Sequence, residues 1–140
     1  MQDVNSIDVK TGYLVFHNIM ITKNTVPSDI KGVPDLLVNP KNDSILTFKK
    51  SVKSGKVNAR VKISFLKTPM VTITPMIGKN GVDMLGYSKM WLKDMLPDEA
   101  PENGHENGIS YSYDWGYIVA MYMPDLDYGQ IGGWIDICYR

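Results

Sequence analysis

Val57-Asn58-Ala59-Arg60-Val61-Lys62-Ile63-Ser64-Phe65 is the stretch that decides the fold. Its odd positions are all apolar, and its even positions are polar or basic. Side chains on a strand alternate between faces, so this pattern describes a half-buried antiparallel strand with a basic outer surface. Ile45 to Val52 reads as another strand leading into the turn Lys53-Ser54-Gly55-Lys56. On the far side, Thr68-Pro69 turns the chain into Met70-Val71-Thr72-Ile73-Thr74, a β-branched run of strand character.

Short strands dominate in both directions from there. Gly12 to Phe16 and Ile19 to Thr22 are apolar runs separated by His17-Asn18, the signature of a tight hairpin. Ser28 is placed to cap one helical turn that Gly32 ends. Leu36-Leu37-Val38 is a short strand stopped by Asn39-Pro40. In Ser88 to Leu96 the residues Trp91, Leu92, Met95 and Leu96 fall on one stripe, with Ser88 as the expected N-cap and Pro97 as the stop. Asp98 to Gly108 reads as an acidic loop. Three strands close the chain: Ile109 to Trp115, Tyr117 to Met123 and Ile131 to Tyr139. Both alternation sets of Tyr117 to Met123 are apolar, which predicts a central strand covered on both faces.

This order, without a βαβ rhythm, implies an α+β fold: one domain over residues 1–140, an antiparallel meander of short strands packed against one main helix. Val57, Val61, Ile63 and Phe65 are expected to pack beneath Trp91 and Leu92. At 140 residues, 44% hydrophobic and 21% charged, the chain has the composition of a globular domain able to bury roughly two-thirds of its unfolded surface. No apolar run approaches the ~20 residues of a membrane span. Met1 to Ser6 lacks the basic and apolar regions of a secretory signal, and Cys138 is the one cysteine, so the expected location is the cytoplasm.

The charges are sorted by position. Fifteen basic and fifteen acidic residues cancel overall, but residues 1–70 hold eleven Lys/Arg against five Asp, whereas residues 71–140 hold four against ten Asp/Glu. From Asp94 to Tyr139 there are nine carboxylates and no Lys or Arg. Between Lys41 and Lys67 stand eight basic residues and one acid, Asp43. Such fields govern partner choice and encounter rate. The alternative is that the two blocks pair with each other across one sheet.

Catalytic signatures are sparse. His17 and His105 lie in different expected loops, with no metal-ligand spacing around them. Ile131-Gly132-Gly133-Trp134 sits within a strand and precedes no helix, so its glycines fit a bulge or close packing better than a phosphate cradle. No spacing singles out a carboxylate pair for acid–base work. The expectation is no catalytic residue, no metal and no cofactor.

Aromatic residues crowd into the same acidic third: Tyr111, Tyr113, Trp115, Tyr117, Tyr122, Tyr128, Trp134 and Tyr139. In the last strand Ile131, Gly133, Ile135, Ile137 and Tyr139 form the apolar set, which puts Trp134 and Asp136 on the opposite face. Most of the rings should fill the core, with Tyr128 and Trp134 as exceptions. Tyrosine and tryptophan beside carboxylates form a surface that anchors a partner by burial and selects it by charge. The expected partner-binding set is Asp98, Glu99, Glu102, Glu106, Asp125, Asp127, Tyr128, Trp134 and Asp136.

The opening Gly12-Tyr13-Leu14-x-Phe16-x-x-Ile19-x-Ile21, with Thr25-x-Pro27-x-Asp29-Ile30, resembles that of small bacterial immunity proteins encoded beside polymorphic toxins. The ending Tyr111-x-Tyr113-x-Trp115-Gly116-x-Ile118, with Ile135-x-Ile137-x-Tyr139, resembles them too. The resemblance covers the two ends of the chain, and its motifs are strand and turn signatures. It implies a stoichiometric inhibitor that binds a cognate toxin domain and blocks its active site, and it carries no functional residue over. A toxin with a basic cleft would complement the acidic, aromatic third. Two other readings stand beside it. One is a nucleic-acid-binding module using the Lys-rich strand pair 49–67, against which Phe48 and Phe65 are the only aromatics of that block. The other is a small-molecule-binding or enzymatic domain using the carboxylates.

Overall fold

In the computed structural model, residues 5–79, 81–97, 102–123 and 132–140 are described. The chain begins with three short strands, β1 (Ser6–Ile7), β2 (Leu14–Phe16) and β3 (Ile19–Ile21), which form a small antiparallel sheet. His17 and Asn18 make the β2–β3 turn at φ 50° and 66°. Two consecutive left-handed residues give the hairpin turn whose twist matches its strands. A single helical turn, α1 (Pro27–Ile30), follows.

The larger sheet collects β4 (Leu36–Asn39), β5 (Asn42–Phe48), β6 (Val52–Ser54), β7 (Val57–Phe65) and β8 (Pro69–Pro75). After the main helix α2 (Gly81–Met95) it is completed by β9 (Asn103–His105), β10 (Gly108–Tyr113), β11 (Gly116–Tyr122) and β12 (Gly133–Tyr139). Every pairing is antiparallel, in the order β4-β5-β7-β8-β12-β11-β10-β9, and β6 extends the β5 side of β7. The last strand therefore sits in the middle, joining the N-terminal and C-terminal halves through β8. The fold is α+β, one antiparallel sheet packed against one main helix, as the alternation of β7 implied.

One face of this sheet is the core. Val61, Ile63, Val71, Ile73, Ile118, Ile135 and Ile137 are fully buried on it, each worth about 1.5–3 kcal/mol against exposure. Helix α2 lies chiefly over β12 and β11 and reaches β6, β7 and β8. Trp91 is buried completely. Its indole N–H donates to the Val52 carbonyl at 3.1 Å, and the Ser54 hydroxyl donates to the Trp91 carbonyl at 2.7 Å. Phe16 of the small sheet meets both Trp91 and Phe48 with ring centroids 6.2 Å apart, so the small sheet shares the covered face with α2.

Several local expectations are corrected. The run Ile45 to Val52 is two strands, β5 and β6, separated by Lys49-Lys50-Ser51; the Lys49 N–H bond to the Asp35 carbonyl continues the β4–β5 register by one residue. Helix α2 starts at Gly81, not at Ser88. The Asp83 carboxylate accepts the Lys79 N–H at 3.0 Å, and Leu85 extends the stripe of Leu92 and Leu96 backwards. Ser88 is then interior to the helix and wholly buried, not a cap. Val26, not Ser28, occupies the N-cap of α1, and its N–H donates to Asp29. Within the expected loop 98–108, Asn103–His105 is the edge strand β9, and residues 98–101 lie outside the described residues. The helix covers β11 and β12 more than β7, and Phe65 is half-buried instead of lying beneath it. Among the described residues no helix is long and apolar enough to cross a membrane.

Candidate docking face

The second face of the large sheet is open. Along β5, β7, β8, β10, β11 and β12 no outward-pointing side chain is buried. This overturns the expectation that β11 is covered on both faces. Ile118 and Ala120 are buried on its inner side, whereas Tyr117 is 40% exposed and Val119 and Met121 are half-buried. The reason is tertiary: both described covering layers, α2 and the small sheet, lie on the same side.

The register sets out what this face carries. One row runs Leu37, Thr47, Lys62, Thr72, Asp136, Val119, Ser110, Asn103 from one edge of the sheet to the other. Beside it Met121 lies opposite Trp134, and Tyr117 opposite Cys138, which in turn faces Met70. The N-terminal side is basic: Lys53, Arg60 and Lys62 are exposed on β6 and β7 with Asn58 among them. The C-terminal side is apolar and aromatic around one carboxylate.

That carboxylate is Asp136. The Thr72 hydroxyl donates to its Oδ1 at 2.8 Å, and the Trp134 indole N–H donates to its Oδ2 at 3.0 Å. Two neutral donors thus hold it in one orientation, with the N–H edge of the Trp134 ring turned towards it. Next along the strand, burial pushes the Cys138 thiol up, the Tyr117 hydroxyl opposes that by hydrogen bonding, and the Asp136 charge adds to the rise. Tyr117 is itself raised, first by its bond to Cys138. Both groups keep their protons at neutral pH, and a protonated thiol is a poor nucleophile. At the β9–β10 end a groove of about 340 Å³ is lined by His105, Glu106, Val119 and Met121. The His105 Nε2 hydrogen-bonds the Ser110 hydroxyl at 2.7 Å.

The expected partner-binding residues do not all gather here. Trp134 and Asp136 are adjacent on the open face, and Glu106 lines the groove at its end. Glu102 is on the helix side, where it accepts from the Tyr111 hydroxyl at 3.4 Å and flanks a cleft of about 290 Å³ beside Lys89 and Lys93. Asp98, Glu99, Asp125, Asp127 and Tyr128 lie outside the described residues. Sequence reading missed Tyr117, Met121 and Thr72. Alternation alone would have placed Tyr117 and Met121 on the face of Trp134 once the register between β11 and β12 was known; Thr72 carries no such mark.

Among the described residues no ion pair joins residues 41–67 to residues 94–139, and the exposed pair Lys31–Asp43 stands at 3.7 Å. No group of three or more His, Cys, Asp or Glu that could hold a metal ion occurs among the described residues.

The two end signatures meet in space. The Trp115 indole N–H donates to the Val9 carbonyl at 2.8 Å, and the Tyr139 hydroxyl donates to the Gly12 carbonyl at 2.7 Å. Tyr113 stacks on Trp115 at 5.2 Å, and Trp115 leans on Tyr139 at 5.5 Å. Gly12 has φ +78°, and a Cβ there would collide with the Trp115 ring. Gly12, Tyr113, Trp115 and Tyr139 therefore clasp the small sheet to the last strands, a structural task separate from the open face. The chain matches no family model, no curated protein and no solved structure.

Proposed function

We propose that the chain is an immunity-type inhibitor that binds a cognate toxin domain through the open face of β8, β12, β11 and β10 and works by occlusion in the cytoplasm. The observation that carries this reading is the pairing, on an uncovered sheet face, of half-buried Trp134, Met121 and Val119 and exposed Tyr117 with the fixed carboxylate of Asp136. Aromatic and methionine side chains are what protein interfaces concentrate at their centres, and a buried aromatic anchor dominates the lifetime of a complex. The carboxylates of Asp136 and, at the end of the face, Glu106 favour a basic partner and a faster association. The sequence resemblance at the two ends of the chain points to the same reading.

The test is co-expression with a toxin domain that a neighbouring gene encodes, once sequencing of the locus has identified one. Growth should be protected by the wild-type chain and by Lys62→Gln, and lost with Met121→Asp or Trp134→Ala in a chain that remains folded. Protection that survives both face variants, or no protection by the wild type, would reject the reading.

A second reading has one observation in its favour. Lys53, Arg60 and Lys62 share one exposed face and could track phosphates. Phe48, however, is buried against Phe16, and Phe65 points to the inner side, so neither ring offers a stacking platform beside those cations. A labelled mixed-sequence oligonucleotide should not be retained at physiological salt. Retention that falls with salt and vanishes in Arg60→Glu/Lys62→Glu would favour this reading instead.

A further inference from the structure

We propose that Trp134 and Asp136 form a socket for an arginine side chain of the partner, an inference that rests on the inhibitor reading for its occupant being a protein. An ionised carboxylate offers about four acceptor sites, and Asp136 uses two, on the neutral donors Thr72 and Trp134. Among the described residues no lysine or arginine forms an ion pair with it. Lys62 lies two strands away in the same row, about 10 Å between Cα atoms at ordinary strand spacing, and is exposed. The result is a half-buried anion, fixed in orientation, with acceptor capacity to spare and apolar neighbours in Val119 and Met121.

Taking such a charge fully out of water costs free energy unless a cation arrives with the covering surface. Guanidinium fits better than ammonium for two reasons. It is planar and presents several donors to one carboxylate, and it is weakly hydrated and stacks on an indole face. Trp134 supplies that face immediately beside the carboxylate it bonds. A metal ion is a poorer occupant, because among the described residues no group of three His, Cys, Asp or Glu gathers there to hold one. The partner is thus a protein that presents an arginine to the C-terminal side of the open face, away from Lys53, Arg60 and Lys62.

The molecule carries its own reporters. The three indole N–H groups donate to different acceptors: Trp91 to Val52, Trp115 to Val9, and Trp134 to Asp136. In the ¹⁵N-labelled full chain, titration with L-argininamide should move the Trp134 indole resonance to saturation and leave those of Trp91 and Trp115 in place. L-norleucinamide, which has no guanidinium, should move none of them. Asp136→Asn should abolish the response, with unchanged Trp91 and Trp115 signals certifying the fold. Against a toxin domain that the wild type binds, Asp136→Asn should weaken affinity about tenfold or more. No selective response of Trp134 to argininamide overturns the socket, even if the wild type binds and neutralises a toxin. A selective response lost in Asp136→Asn, in a chain that protects against no toxin, upholds the socket and overturns the inhibitor reading alone.

Discussion

The two faces of the larger sheet are made by the same strands, residue by alternate residue, and they behave as different materials. On β12 the inward set Ile135, Ile137 and Tyr139 is buried under α2 and the small sheet, whereas the outward set Trp134, Asp136 and Cys138 is half-exposed. On β7 the contrast is between Val57, Ala59, Val61 and Ile63 inside and Asn58, Arg60 and Lys62 outside. Packing stability therefore belongs mainly to one face, because a substitution on the open side removes little buried contact. The comparison also separates the two roles of tryptophan here. Trp91 and Trp115 donate to backbone carbonyls and lock layers together; Trp134 donates to a side chain on the open surface.

The largest effect should come from Trp91→Ala. The side chain is fully buried and bonded to β6, so truncation should cost about 3–5 kcal/mol in chemical denaturation. A loss below about 1 kcal/mol would break the distinction between the faces.

Alkaline pH should attack the covered face next. Burial, then the Glu102 charge and hydrogen bond, pushes Tyr111 up from 10.0 to about 12, and burial raises Tyr139 as well. Both folded-state values lie above the unfolded one, so their stabilising contribution is fully present below pH 10. It is lost as pH rises from about 10 towards the folded values. For Tyr111 the shift is worth on the order of 2 kcal/mol. Denaturation midpoints at pH 9 and pH 11 measure it, and Tyr111→Phe should flatten the dependence. An unchanged slope in that variant would remove Tyr111 from the account.

Gly12→Ala tests the clasp. The left-handed backbone and the contact with Trp115 act together, so a loss of about 1–3 kcal/mol is expected. The same change at Gly32, which is left-handed but faces open space, should cost less. Equal losses would mean that backbone strain alone matters and that the ring contact is incidental.

The smallest effect should be a gain. The Ser88 hydroxyl is wholly buried with no hydrogen-bond partner, so Ser88→Ala should stabilise by up to about 1 kcal/mol through relief of desolvation and better helix propensity. A measurable loss would show that the hydroxyl has a partner and would sharpen the description of the packing under α2.

The strand character of β7, the β2–β3 hairpin and the opposition of Trp134 and Asp136 to Ile135 and Ile137 were all legible in the residues. Alternation and turn chemistry are local, and burial of one face reinforces them. Helix α2 was legible only in its second half. Its first turns carry Gly81 and Gly86, which argue against a helix locally, and burial of Leu85 and Ser88 outweighs that propensity. The apolar outward set of β11 could not be assigned from sequence, because a strand covered on both faces and one with an open apolar face have the same pattern. Only the placement of both covering layers on one side decides between them.

For the site the division is similar. Composition and order alone determined that acidic and aromatic residues concentrate in the last third of the chain, and that Trp134 and Asp136 share a face. Tertiary structure decided that Thr72 from the basic half reaches Asp136, that Glu102 belongs to the other side of the sheet, and that the two end signatures close on each other. Those facts depend on strand order, and β12 inserting beside β8 is a long-range pairing that no local propensity encodes. The hydrogen bonds and packed area of the assembled sheet select it collectively, which is why the face existed in the sequence only as scattered residues.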